Sequence, residues 1–215
     1  EKFYEKGGLI APNGKPSNLT PEQYKLVRSE DFKKWFGDWE NDPESASKVV
    51  DSNGEPMLVY HGSKYNFNVF ERKKGKRSSL AGIEDVVSSG FFFSPIKEFT
   101  DSYGDEKYVC FLNIKNIFDI SEGNYDQKEM YKNVVGRDFD SDMPFGIYTS
   151  WEYFDGDEFD ISEYIKKSSF DGVKIVEKNP DDESMYSDVF ICFDSNQIKL
   201  ADGTNTTFDS NNPDI

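Results

Sequence analysis

The hydrophobic pattern divides this chain into a helical beginning and a strand-rich remainder. Residues 1–18, with Gly7-Gly8, Pro12, Gly14 and Pro16, read as a loop-rich lead-in. In "LTPEQYKLVRSEDFKKWFGDWEND", Thr20 is a good N-cap, Pro21 suits the first helical position, and Gln23 completes a capping box. Ser29 can cap a second short helix, with Glu30 and Asp31 in its electropositive first turn. Phe32, Trp35, Phe36 and Trp39 follow at i, i+3, i+4 and i+7. That spacing predicts an aromatic stripe docked on a core.

From Lys48 the apolar residues cluster in short runs. "KVVDSNGEPMLVYHGS" reads as strand, Asn-Gly turn, strand. "SSGFFFSP" is a short strand, with Phe91 and Phe93 in the core, and "EFTDSYG" a short helix. "YVCFLNIKNIFDI", "FDGVKIVEK" and "YSDVFICFDSNQIKL" read as longer strands. Residues 121–165 are acidic, aromatic and weakly periodic, which predicts mixed helix and loop. The polar, Asn-rich stretch from Ala201 predicts a loosely ordered tail. Short irregular helices among the strands favour an α+β fold over a doubly wound one. The expected division is 1–47 lead-in and helical segment, 48–200 main domain, and 201–215 tail.

Composition narrows the chemistry. The 215 residues include 19 Phe and 12 Tyr, enough bulk for a well-filled core. A mean hydropathy of −0.73 and the lack of a long apolar run predict a soluble protein without a membrane span. A net charge of −16 disfavours tracking along a nucleic-acid backbone, which Lys and Arg drive. Cys110 and Cys192 lie in apolar runs and read as buried free thiols. With one histidine and no CxxC, neither a histidine-based metal cluster nor thiol catalysis is expected. The chain has neither the G-x-S-x-G nucleophile turn nor the phosphate-cradling glycine loops. Without Met at its start or a signal peptide, it reads as a segment of a longer polypeptide.

Three strand-borne pieces remain. "VYHGS" ends a strand in the sole histidine, His61, followed by Gly62, whose bare backbone a ligand can approach. "GFFFSPIKEFTDSYG" sets Tyr103 thirteen residues after Gly90, and "YSDVFICFDSNQIK" is a strand entered by an acid. Together these resemble the His-Gly-Ser, G-I-Y-F and Y-N-E strands of poly(ADP-ribose) polymerases and diphtheria-type ADP-ribosyltransferases. Residues 19–215 are more similar still to the ADP-ribosyltransferase domains of polyvalent proteins of phages and conjugative elements, through "LTPEQY", "FKKWFGDWE", "ASKVVDSNGEP" and "FDSNNPDI".

The resemblance implies a split core of two antiparallel sheets with NAD between them and no metal. It implies that His61 bonds a ribose hydroxyl, that Gly62 clamps the nicotinamide carboxamide, and that Ser63 supports the adenosine side. Tyr103 then stacks on the nicotinamide, with Phe92 in place of a second tyrosine. For the catalytic acid, strict register from Gln197 falls on Val189; Asp188 lies one residue earlier and would need a bulge to turn inward, and Glu183 lies in the preceding turn. Asp188 is the preferred acid, with no catalytic acid at all as a further alternative. The expected reaction is mono-ADP-ribosyl transfer from NAD to a macromolecular acceptor, protein in preference to nucleic acid, in a bacterial cytoplasm after delivery by a mobile element, as a toxin or effector. An NAD glycohydrolase, an inactive NAD- or ADP-ribose-binding module, and a module that binds no NAD are the rivals; a tRNA 2′-phosphotransferase, short of Arg and a second His, ranks below them. "FERKKGKRSS" is read either as a solvated loop or as a basic loop over the cofactor cleft.

Overall fold

The computed structural model describes residues 8–71, 74–79, 82–87, 90–119, 155–156, 159–160, 169–204 and 208–215. The expected mixed region 121–165 lies outside them apart from two short strand pieces. Helix α1 (Pro21–Leu26) carries the anticipated capping box: Thr20 Oγ1 accepts from Gln23 N–H, and the Gln23 side chain accepts from Thr20 N–H. Ser29 caps α2 (Glu30–Phe36), which stops at Gly37, a residue with φ of 104°. Trp39 therefore lies beyond the helix, yet it is buried with Phe32, Trp35 and Phe36. The stripe predicted one continuous helix, and the left-handed glycine turns the chain before the last aromatic joins the same core.

The strands are β1 (Val59–Ser63), β2 (Lys74–Ser79), β3 (Gly82–Val87), β4 (Phe91–Phe93), β5 (Glu106–Leu112), β6 (Ile117–Asp119), β7 (Asp155–Gly156), β8 (Phe159–Asp160), β9 (Gly172–Lys178), β10 (Tyr186–Cys192) and β11 (Ile198–Leu200). One sheet has the order β1-β5-β11 and the other β4-β10-β9-β6, antiparallel except for the β6–β9 pair. The fold is α+β, with two mostly antiparallel sheets and few short helices. Two predicted segments differ. The strand expected at Lys48–Val50 shrinks to a single bridge, Val50 to Pro56, because the Asn53-Gly54 turn closes it at once. The basic stretch after Phe70, expected as a loop, forms β2 and pairs with β3 over six residues.

Alternation along the strands builds two cores. Val59 of β1 and Tyr108, Cys110 and Leu112 of β5 point towards Phe91, Phe93, Phe190 and Cys192 of the other sheet. Phe111 and Val109 point oppositely, into a cluster with Phe32, Trp35, Phe36, Tyr24 and Phe208. The three-stranded sheet is thus covered by helices on one face and by the second sheet on the other. Each such fully buried aromatic contributes about 1.5–3 kcal/mol. Gln197 ties the layers: its amide donates to the carbonyls of Asn113 and Asp171, which lie beside β5 and β9. Both cysteines are buried free thiols, and burial pushes both well above the ordinary thiol value.

The tail expected to be loose is instead docked at 208–215. Phe208 is buried against the helices, and Ile215 packs on the inter-sheet core.

Candidate functional site

The two sheets meet at the β1–β4 edge. Tyr60 N–H donates to Ser94 O at 2.7 Å, and Ser94 N–H returns the bond at 3.0 Å. Backbone groups in antiparallel strands alternate sides, so those of His61 face β5 while those of Gly62 face the same way as those of Tyr60. The bridge is a single residue pair; its antiparallel register sets Phe92 of β4 opposite Gly62, and the Phe92 carbonyl lies 2.9 Å from His61 Nδ1. Among the described residues, the Gly62 N–H and C=O have no hydrogen-bond partner.

His61 stands on the inter-sheet face of β1. Its ring centroid lies 5.0 Å from Phe70, 5.4 Å from Phe93, and 6.3 Å from both Phe67 and Tyr108. Phe67 stacks on Tyr108 at 4.4 Å. His61 Nδ1 lies 2.9 Å from the Phe92 carbonyl, an atom that only accepts, so Nδ1 carries the proton. Burial lowers the His61 pKa, the Phe92 bond partly opposes this, and the Lys107 charge adds to the depression. The neutral ring then presents Nε2 as an acceptor, suited to a hydroxyl and unsuited to general-acid work.

On the opposite face of β1, the 3₁₀ turn Glu98–Tyr103 closes over Gly62. A Cβ at Gly62 would lie 2.3 Å from Thr100 O and 3.1 Å from Tyr103 Cβ. The bare face of Gly62 thus admits this turn. Lys107 Nζ anchors the turn by donating to the carbonyls of Thr100 and Gly104, at 2.7 and 2.6 Å. Asn179 anchors it from β9: its Nδ2 donates to Phe99 O, and its Oδ1 accepts from Ser102 Oγ, both at 2.9 Å. Tyr103 is left 43% exposed. Partial burial first, then the Glu177 and Asp181 carboxylates, push its hydroxyl up to about 12, so it stays neutral. Phe92, half-buried, lies on that same side of the sheet as Ser94. Ser63 Oγ accepts from Tyr65 N–H at 3.0 Å in a local turn.

Strand β10 pairs with β9 without interruption from Tyr186–Lys178 to Cys192–Gly172, so no bulge turns Asp188. None is needed. Asp188 shares a face with Phe190 and Cys192, and Phe190 is paired with Phe93, whose ring adjoins His61. Its side chain is 45% exposed, and its Oδ2 lies 3.2 Å from Lys174 Nζ. Lys174 also lies 3.8 Å from Asp119 Oδ2. Val189 is 2% exposed and points to the opposite face. Glu183 is an exposed turn residue paired with Lys178 at 3.1 Å. Sequence reasoning missed Lys174, Asn179 and the Phe67/Phe70 wall. Lys174 alone had a signal, a lone cation between apolar residues in "GVKIV".

The arrangement is thus a split pair of sheets with a His-Gly strand where they meet, an aromatic turn over the glycine and an exposed acid, Asp188, on β10. The chain belongs to the family of ADP-ribosyltransferases in polyvalent proteins, whose family model matches residues 51–208. No curated protein matches. Among solved structures, one described as the crystal structure of an anti-CRISPR protein is similar at 18% identity and a TM-score of 0.32, covering 64% of this chain and 89% of its own. Among the described residues, no helix is long and apolar enough to cross a membrane.

Proposed function

We propose that the chain is an NAD-dependent mono-ADP-ribosyltransferase whose substrate lies across the β1 edge. The observation that supports this most is the adjacency, on one strand, of Gly62 main-chain groups without a hydrogen-bond partner among the described residues and an acceptor nitrogen at His61 Nε2. The nicotinamide carboxamide pairs with the Gly62 N–H and C=O, and its ring lies against Tyr103 and Phe92. His61 Nε2 accepts from a ribose hydroxyl, with Ser63 towards the adenosine end.

Cleaving the nicotinamide–ribose bond places positive charge on the ribose. The Asp188 carboxylate stabilises that charge through the 2′-hydroxyl and orients the incoming nucleophile. Lys174 holds Asp188 in position, while His61 and the aromatic rings locate the substrate. The acceptor is a macromolecule, protein before nucleic acid, and the setting is a bacterial cytoplasm reached with a mobile element.

Labelled NAD incubated with the protein and a bacterial lysate tests this. Asp188→Asn is expected to lower nicotinamide release by about 10²–10³-fold, the effect of losing one transition-state hydrogen-bond partner. NAD binding should be retained. Wild-type turnover in that variant would refute the role of Asp188. Release of free ADP-ribose with no labelled macromolecule would instead assign an NAD glycohydrolase.

A further inference from the structure

Lysine is seldom fully buried, because its charge must be satisfied away from water. Lys199, on β11, has no exposed surface. Its ammonium donates to the main-chain carbonyls of Asn212 and Asp214, each at 2.5 Å. Burial lowers its pKa, against the pull of Asp209 and Asp214. A buried cation bonded to carbonyls fixes the path of a main chain rather than the position of a side chain.

The segment so held, 208–215, is anchored twice more. Phe208 adopts φ of 44°, a left-handed conformation that is costly for a bulky residue. Its ring centroid sits 5.0 Å from Phe32 and 5.6 Å from Trp35, burial that offsets the strain. At the far end, Asp214 forms an antiparallel bridge with Val69, and Ile215 N–H donates to Asn68 O at 3.0 Å. Asn68 and Val69 lie between Phe67 and Phe70, the two rings that wall His61. Ile215 itself packs on the inter-sheet core, as Phe67 does.

We propose that Phe208–Ile215, clamped by Lys199, is a brace that positions the Phe67/Phe70 wall over His61, with Lys199 its positioning residue. The site it serves is the NAD site read above. Phe67 N–H also donates to the Tyr108 hydroxyl at 2.6 Å, so the wall has one anchor on β5 and another on the brace. Losing the second loosens the wall without removing it.

The single histidine gives a direct readout, since one imidazole signal reports the wall. Ile215→Ala removes packing with no change of charge, and Lys199→Met removes the clamp. In each, the His61 pKa is expected to rise towards the ordinary histidine value as water enters. Deuterium uptake across 64–70 should increase, with that of the two helices unchanged. For NAD turnover, KM should rise about five- to tenfold with kcat within about twofold, the pattern of lost positioning. An Ile215→Ala variant whose His61 titration and 64–70 exchange match wild type overturns the brace, whatever the fate of Lys199→Met. Wild-type protein that binds no NAD overturns the site reading instead, and the imidazole and exchange readouts still decide the brace.

Discussion

Replacing Gly62 by alanine tests the geometry of the β1 edge most directly. The added methyl would lie 2.3 Å from Thr100 O, where an ordinary carbon–oxygen contact is about 3.3–3.6 Å. The turn must therefore retreat by about 1 Å. It cannot do so freely. Thr100 O is bonded to Lys107 Nζ at 2.7 Å, and Asn179 holds Phe99 and Ser102 from the other side. Overpacking against a pinned backbone costs about 1–3 kcal/mol, which urea unfolding of Gly62→Ala should read as a lower midpoint at unchanged slope. Tyr103, whose Cβ lies 3.1 Å from the same point, moves with the turn. A shift of that size in a positioning ring lowers kcat/KM for NAD by up to about 10²-fold. Stability within about 0.5 kcal/mol of wild type together with an unchanged kcat/KM would refute the closed contact and the place of Tyr103 in the site.

Val189→Glu separates the two registers of β10. Val189 is buried, so the variant should lose about 3–5 kcal/mol in urea unfolding and gain no NAD turnover; a folded, faster enzyme would move the acid from Asp188 to position 189. The His61 pKa is lowered on folding, so the unfolded chain binds the proton more tightly. Its stabilising contribution is complete above about pH 6.5, the unfolded value, and is lost as pH falls through the folded pKa. Between pH 7.5 and 5, wild type should therefore lose more stability than His61→Gln; parallel pH curves would contradict a desolvated, neutral His61.

The family resemblance made much of this site legible before any fold was known, since "VYHGS" and the Gly90–Tyr103 spacing lie within single local segments. The capping residues Thr20 and Ser29 were equally legible, because capping is settled over three or four positions. The ladder register was not. Counting from Gln197 pointed to Val189, and only the pairing with β9 decided that Val189 is buried while Asp188 lies on the opposite face of β10. Nor could sequence spacing disclose that the bare face of Gly62 is covered by the Glu98–Tyr103 turn.

Local chemistry by itself determined the helix starts, the burial of the Phe32–Trp39 stripe and the residue types of the site. Tertiary structure alone decided which side of each strand meets which core, and that a polar tail is drawn in by a buried lysine. The physical reason is range: caps and turns are satisfied by neighbours in sequence, whereas the Lys199 ammonium and the His61 ring take their surroundings from segments far apart along the chain.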